Sequence, residues 1–403
     1  MKLPKGWRHI ELREIISELK AGVSVTGEGR PAEAHETGVL KVSAVSGGRF
    51  LPHENKAVLP DHLDRIGLRP KKGCVLISRS NSPELVGDSA LIRDVPNNLV
   101  LPDKLWQVAL ISEEEACSTW LAQILLLPSV RLEIRNRASG SSQSMKNISK
   151  ESLLGISVQM PPLSEQRRIA KFLGSWDRAI ETQQMLLTGK TTRLRTFRHQ
   201  LLTGAKRFPE FQKQGVWPRT RLEKAAEEMN VRNKGNVPDH KLFAVTKAEG
   251  LVPMKDRVKG ISTLRCMVVE QDWYAYNPMR INIGSIARHY APEPVMVSPD
   301  YVVFRAKPAV LLPDYLDHLR RSQLWSDFVS IAGSGSVRVR IYFDALGLLS
   351  FPLPTIAEQT RIATFLNACQ REIDLLTTQL EVLKQQKRGM MQKLLTGEIR
   401  TNS

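Results

Sequence analysis

The stretch PPLSEQRRIAKFL (Pro161 to Leu173) returns as PTIAEQTRIATFL (Pro354 to Leu366), and this internal repeat is the strongest constraint on what the chain can fold into. Followed at the same offset, Ile180 falls on Ile373, and LLTG at Leu201 to Gly204 falls on LLTG at Leu394 to Gly397 without a gap. Upstream, Gly140 meets Gly333, Ile148 meets Ile341 and Leu153 meets Leu346. Farther back the echo loosens: GWRHIELREI resembles VWPRTRLEKA, and KVSAVSGGRFLP resembles LFAVTKAEGLVP. The chain therefore reads as two copies of one module, each a variable block followed by a shared segment. Two long repeats imply internal pseudo-symmetry, because a solenoid needs more and shorter ones.

The shared segment carries a heptad seam. In the first copy it runs Ile169, Leu173, Trp176, Ile180, Leu187, Leu194, Phe197 and Leu201. The second gives Ile362, Leu366, Cys369, Ile373, Leu376, Leu380, Leu383, Met390 and Leu394. Apolar residues stepping by four and three make one stripe along an α-helix. Thr355 and Glu358 have capping-box spacing, and Gly204 and Gly397 mark the stops. Each helix is then roughly 60 Å long at about 1.5 Å per residue. Two such helices in one chain most simply pair with each other, antiparallel and about a pseudo-twofold axis. Gln183, Lys190 and Lys387 interrupt the stripe and either fix register or face water.

The variable blocks read as mixed α/β. GCVLIS, SALIRDV, CMVVEQDWYAY and YVVFRA are β-branched or aromatic and bounded by turn formers, so they are predicted strands. WLAQILLLPSVRLEIRNRAS and YLDHLRRSQLWSDFVSIA are predicted helices late in each block. The fold class expected is α+β, with domains at 1–160 and 207–353, a first long helix at 161–206 and a second, with a tail, at 354–403.

Composition excludes several classes. The four cysteines (Cys74, Cys117, Cys266, Cys369) are far apart, with no C-x-x-C pair, so neither a disulfide framework nor a structural metal site is expected, and a reducing cytoplasm is the default. The longest apolar run, WLAQILLLP, is too short to span a bilayer. The net charge of +17 points to a polyanionic partner. Lys and Arg outnumber Asp and Glu in every segment, by ten to three in residues 161–207, so this is not a globular enzyme with one basic tail.

A search for catalysis returns little. TGKTT (Thr188 to Thr192) mimics the end of a phosphate loop, but Gln184 stands where that motif needs Gly and the stretch lies mid-helix. YNPM (Tyr276 to Met279) hints at the base-flipping pocket of amino-methyltransferases, but the second Pro and the closing aromatic are missing. No G-x-S-x-G or H-E-x-x-H occurs.

Taken together, the motifs resemble those of the specificity subunits of prokaryotic type I restriction-modification systems. The resemblance rests on MPPLSEQRRIAKFL with LLTG, and on LPTIAEQTRIATFL with LKQQKRGMMQKLLTG. It is supported by LISRSNSPELVG, YNPMRINIGSIA and the Gly-Ser loops SGSSQSMKNIS and GSGSVRVRI. Departures are Cys369 and Gln370 in place of Trp176 and Asp177, and a second loop without the Gln and Asn of the first.

The resemblance implies a protein without chemistry of its own. Two target recognition domains would each read one half of a bipartite, asymmetric site on double-stranded DNA, with the paired helices setting the spacer. The implied partners are two copies of a methyltransferase subunit, which uses S-adenosylmethionine, and restriction/translocase subunits that use ATP and Mg. No cofactor is expected on this chain, and the location implied is the prokaryotic cytoplasm. A stand-alone duplicated DNA-binding regulator is the alternative, and a cryptic metal-dependent nuclease a third reading. Outward faces at Gln166 to Arg168 and Lys384 to Arg388 are candidates for docking the methyltransferase.

The side chains expected to read bases sit on two loops per domain, where short polar residues can approach DNA and Arg, Asn or Gln can bond base edges in pairs. In the first domain they are Arg79, Ser80 and Asn81, with Ser141, Ser142, Gln143, Lys146 and Asn147. In the second they are Arg280, Asn282, Ser285 and Arg288, with Ser334, Ser336, Arg338 and Arg340. The competing reading is that these loops pack on the helices or touch only phosphates.

Overall fold

A computed structural model of the chain describes residues 3–140, 144–254, 262–332 and 340–401. It divides into two compact units, Met1–Gln183 with Gln379–Ser403, and Gln184–Thr378. Both long helices form as expected, over Leu163–Thr203 and Ile356–Leu395, so TGKTT is helical throughout. Each unit contains one end of each helix.

The first unit is built on a four-stranded antiparallel sheet, in the order Ile16–Ala21, Leu105–Leu110, Val75–Ser78, Ser89–Leu91. Val75 to Ser78 are all buried, as a central strand covered on both faces must be. Arg8–Glu11 pairs with Ser157–Met160, so the two ends of the variable block close on each other before the long helix starts. The second unit repeats the plan. Its sheet runs Ala226–Glu228, Val302–Ala306, Tyr274–Tyr276, Ile286–Arg288, and Arg219–Arg221 pairs with Ser350–Pro352.

Two sequence expectations need correction. CMVVEQDWYAY is not one strand but two, Met267–Val269 and Tyr274–Tyr276, separated by a turn at Asp272 with φ of 68°. Each late helix is likewise two. Ser118–Ile124 ends before Pro128–Arg137 begins, because Pro128 supplies no N–H to continue the first helix and is well placed to start the next. Pro313–Leu319 and Gln323–Ala332 break at the corresponding place, where the Ser322 hydroxyl accepts from Trp325 N–H at 3.3 Å.

Within each unit the helix segments run antiparallel. In the first, Asp177 faces Lys387 at 2.6 Å and Gln183 faces Gln379 at 3.2 Å. In the second, Lys190 faces Glu372 at 2.6 Å. The three polar interruptions thus reach across to the facing helix. The seam is apolar where expected: Ile169, Leu173, Leu380 and Leu394 are buried in one unit, and Leu194, Leu201, Ile362, Leu366 and Ile373 in the other. Trp176, Ile180 and Leu187 are half-buried. Each fully buried Leu or Ile contributes about 1.5–3 kcal/mol, which makes the stripe the main force holding the segments together.

The helix entries explain why the repeated phrase keeps Glu and Gln. Gln166 is fully buried: its amide donates to Glu115 O and Pro161 O, both at 3.0 Å, and its carbonyl accepts from Cys117 N–H at 2.9 Å. Gln359 does the same with Val310 O, Pro354 O and Leu312 N–H. Gln166 is therefore not part of an outward docking face, since its amide ties the helix to its own domain. Arg167, Gln385, Gln386 and Arg388 do face outward. Lys387, bound to Asp177, does not.

Glu165 accepts from Trp7 Nε1 at 3.0 Å and from Arg400. Glu358 accepts from Trp217 Nε1 at 2.9 Å and from Arg207. The expected capping box is consequently half made. Thr355 Oγ1 accepts from Glu358 N–H at 3.4 Å, but the carboxylate turns away to the tryptophan and arginine. Gly204 and Gly397 end the helices with φ of 74° and 71°, and a Cβ on either would press on Trp217 or on Pro4.

Candidate nucleic-acid interface

In the first unit the two expected loops come together. Ser80–Asn81 and Lys146–Asn147 form a two-stranded antiparallel ribbon, with Asn81 opposite Lys146 and Ser80 opposite Asn147. Arg79 is pinned through its backbone: its N–H donates to Lys104 O at 2.9 Å and its carbonyl accepts from Ile148 N–H at 3.0 Å. Its exposed guanidinium lies 5.9 Å from the centre of the Trp106 ring, with no ion pair among the described residues. A rigid backbone bearing an unpaired, weakly hydrated cation suits phosphate or guanine recognition. Asn81 is partly committed, donating to Ser78 Oγ at 3.3 Å and accepting from Ser82 N–H at 2.9 Å. Ser80 is buried, Lys146 Nζ reaches Gly140 O at 2.7 Å, and Asn147 is exposed. Ser141, Ser142 and Gln143 lie outside the described residues.

The second unit has the same tie, with Ile341 N–H, next in sequence to Arg340, donating to Pro278 O, two residues before Arg280, at 3.0 Å. Arg280 and Asn282 are exposed on a tight 3-10 turn, and the Arg340 guanidinium is 3.4 Å from Tyr342 Oη. Ser285 and Arg288 face inward instead. Ser285 Oγ donates to Val245 O at 2.8 Å. Arg288, with a side chain only 9% exposed, is held by Asp272 at 2.6 Å and Asp314 at 2.5 Å. Burial pulls the Arg288 pKa down, but those two carboxylates outweigh it and hold it raised. Ser334, Ser336 and Arg338 lie outside the described residues.

Tyr276, the aromatic of YNPM, has a buried hydroxyl without a partner among the described residues, and burial pushes its pKa up, so it is a neutral core group. No group of three or more His, Cys, Asp or Glu placed to hold a metal ion occurs among the described residues. None of their helices is long and apolar enough to cross a membrane.

The sequence reading missed the two Trp–Glu–Arg nodes and the buried Gln166 and Gln359. The signal was present, since EQ is among the residues kept unchanged in the repeated phrase. Polar letters in a helix's first turn read as solvated, and only their burial shows otherwise.

Comparison with known proteins bears out the resemblance. Residues 68–187 match the family described as the type I restriction modification DNA specificity domain. The type I restriction enzyme EcoEI specificity subunit of Escherichia coli is 29% identical over 170 residues, which are 42% of this chain and 28% of that protein's length. The type I restriction-modification S subunit from M. genitalium shares the fold with a TM-score of 0.62 at 14% identity, over 98% of both chains. A chain from a study of complex assembly and conformational transition in the type I R-M system has a TM-score of 0.55 at 16% identity, over 99% of this chain and all of that one. Residues 68–187 are thus similar to type I restriction-modification DNA specificity domains, and the chain has, over nearly its whole length, the fold of type I S subunits.

Proposed function

We propose that the chain is the DNA sequence-specificity subunit of a type I restriction-modification complex. Each unit reads one half of a bipartite site, and the paired helices set the spacer and dock two methyltransferase subunits. The S-adenosylmethionine, ATP and Mg chemistry belongs to the partner subunits, in a prokaryotic cytoplasm. One observation carries this reading. The two units share their sheet order and their Trp–Glu–Arg node, yet differ where side chains are exposed, with Arg79 and Asn147 in one and Arg280, Asn282 and Arg340 in the other. A fixed scaffold with two different reading faces is what an asymmetric site requires, as dimer geometry fixes half-site spacing in other DNA-binding proteins.

The test is to purify the chain alone and with its methyltransferase partner, then map methylation across a genome. A split motif methylated only by the complex is the expected outcome. Tight, specific binding by the chain alone with no methylation would make it a regulator, and metal-dependent cleavage without a partner would make it a nuclease. Shortening both helices by whole heptads should change the spacing between half-sites and leave each half-site intact. Indifference of spacing to helix length would remove the ruler role.

A further inference from the structure

The second unit contains an arginine cluster whose counterpart in the first unit is apolar at three of its four positions, the fourth, Arg195, falling on Arg388 at the repeat offset. The break between Pro313–Leu319 and Gln323–Ala332 carries the same hydrogen bonds as that between Ser118–Ile124 and Pro128–Arg137. Arg320 N–H donates to Leu316 O as Leu125 N–H does to Leu121 O, and Ser322 N–H to Leu319 O as Leu127 N–H does to Ile124 O. At these matched places Arg320 and Arg321 replace Leu125 and Leu126, and Asp317 replaces Ala122. On the long helices, at the repeat offset, Arg198 replaces Met391. The scaffold is thus complete with Ala, Leu and Met, and folding does not call for the charges.

The charges are also unbalanced. Asp317 is the cluster's carboxylate, and its oxygens are taken: Oδ1 by Arg320 at 2.5 Å, Oδ2 by Arg321 at 2.9 Å and by Tyr290 Oη at 3.0 Å. Arg198 is left with no hydrogen bond or ion pair among the described residues, and its Nε is buried without an acceptor. Burial first, and the neighbouring Arg321 next, pull its pKa down to about 10. Arg195, at an exposed position one turn away on the same helix, has no ion pair among those residues either. These four arginines line a cavity of about 240 Å³, open on one side, beside the start of the helix Gln323–Ala332, whose dipole also favours an anion. By contrast, in a larger cavity of this unit Arg288 and Lys241 are already paired, with Asp272 and Asp314 and with Glu293.

We propose that Arg195, Arg198, Arg320 and Arg321 form a binding site for a phosphate group, which would supply the acceptors that Arg198 and Arg195 lack. Guanidinium groups suit tetrahedral oxyanions because two N–H donors can meet two oxygens. The phosphate could come from a free phosphorylated ligand or from the backbone of bound DNA. The site lies at the Gln323 end of Gln323–Ala332, about 15 Å from Ala332 along a ten-residue helix.

The test is calorimetric titration of the full chain with inorganic phosphate and pyrophosphate, at ionic strength held constant with chloride. Saturable pyrophosphate binding is expected, weakened about tenfold or more in Arg198→Met. Met391 already occupies the matching position, so this variant suits the fold. Arg195→Gln, at an exposed side chain, gives the same readout should Arg198→Met fail to fold. Absence of saturable binding, or equal binding by wild type and both variants, overturns the site. So does tighter binding of an oligoglutamate peptide than of pyrophosphate, which would assign the cluster to an acidic protein partner. A duplex arm separates the sources. Competition by pyrophosphate, with a salt slope reduced by about one in Arg198→Met, assigns the phosphate to DNA. Duplex binding indifferent to both, alongside saturable pyrophosphate binding, assigns it to a free ligand. The calorimetric arm contains no DNA, so its result is independent of the DNA-specificity role proposed above.

Discussion

Arg207 and Glu358 are 151 residues apart in sequence and 2.7 Å apart in the structure, with Trp217 Nε1 bound to the same carboxylate at 2.9 Å. The Glu358 side chain is 1% exposed and that of Arg207 13%, so this is a desolvated ion pair. Removing one member of such a pair strands the other. Glu358→Ala is expected to cost about 3 kcal/mol in denaturant unfolding. Glu165→Ala should cost about half as much, because its partner Arg400 is 40% exposed and water can replace the carboxylate. Equal losses would show that burial does not decide the strength of the two nodes.

Asp177 is a second hub, accepting from Lys387 at 2.6 Å, Gln123 Nε2 at 3.0 Å and Arg93 at 3.3 Å. Asp177→Ala strands Lys387 and Gln123 on a half-buried surface, while Arg93 keeps Glu181 at 3.6 Å, and a loss of about 2 kcal/mol is expected. Breaking the more exposed Lys190–Glu372 pair by Lys190→Met should cost under about 1 kcal/mol. Melting temperatures of the two variants, measured side by side, check the order.

His318 links stability to pH. It is 1% exposed, with Nε2 2.8 Å from Asn367 Oδ1 and Nδ1 without a partner among the described residues. Burial lowers its pKa from 6.5 to about 4. Between those values the unfolded chain binds a proton that the folded chain does not, so stability is fully present above about pH 6.5 and falls as pH drops toward 4. The contribution is of order 3 kcal/mol at most. His318→Gln, which installs the residue found at the matching Gln123, should flatten the stability profile across that window. A slope unchanged in the variant would place the titrating group elsewhere.

Arg79 and Arg280 separate base reading from phosphate contact. Alanine at a base-reading position should cost about 1–3 kcal/mol on the target duplex and much less on a scrambled one, at fixed salt. An equal loss on both duplexes reduces that residue to a phosphate contact.

The heptad stripe, the Gly stops and the offset between the copies are all legible in the amino-acid letters, because helical periodicity and repetition are written locally. Strand positions are legible too, but their breaks are not. Asp272 turns the chain inside CMVVEQDWYAY through a positive φ that neighbouring apolar letters hide. Of the residues chosen for DNA reading, Arg79, Asn147, Arg280, Asn282 and Arg340 are on the surface, while Ser80, Ser285 and Arg288 are drawn inward. Residue type alone does not separate these groups, since an arginine bound to Asp272 and Asp314 has the same letter as one facing water.

The sequence by itself determined that the chain holds two copies of one module, each ending in a long amphipathic helix, since that follows from spacing alone. Tertiary structure decided which polar letters are structural. Glu165, Glu358, Gln166 and Gln359 sit on a helix's first turn and look solvated, yet each is buried against partners distant in the chain. It also decided where positive charge is left over. Asp317 can satisfy Arg320 and Arg321 but not Arg198, because two N–H groups of Arg320, one of Arg321 and the Tyr290 hydroxyl already fill the four acceptor positions of its two oxygens.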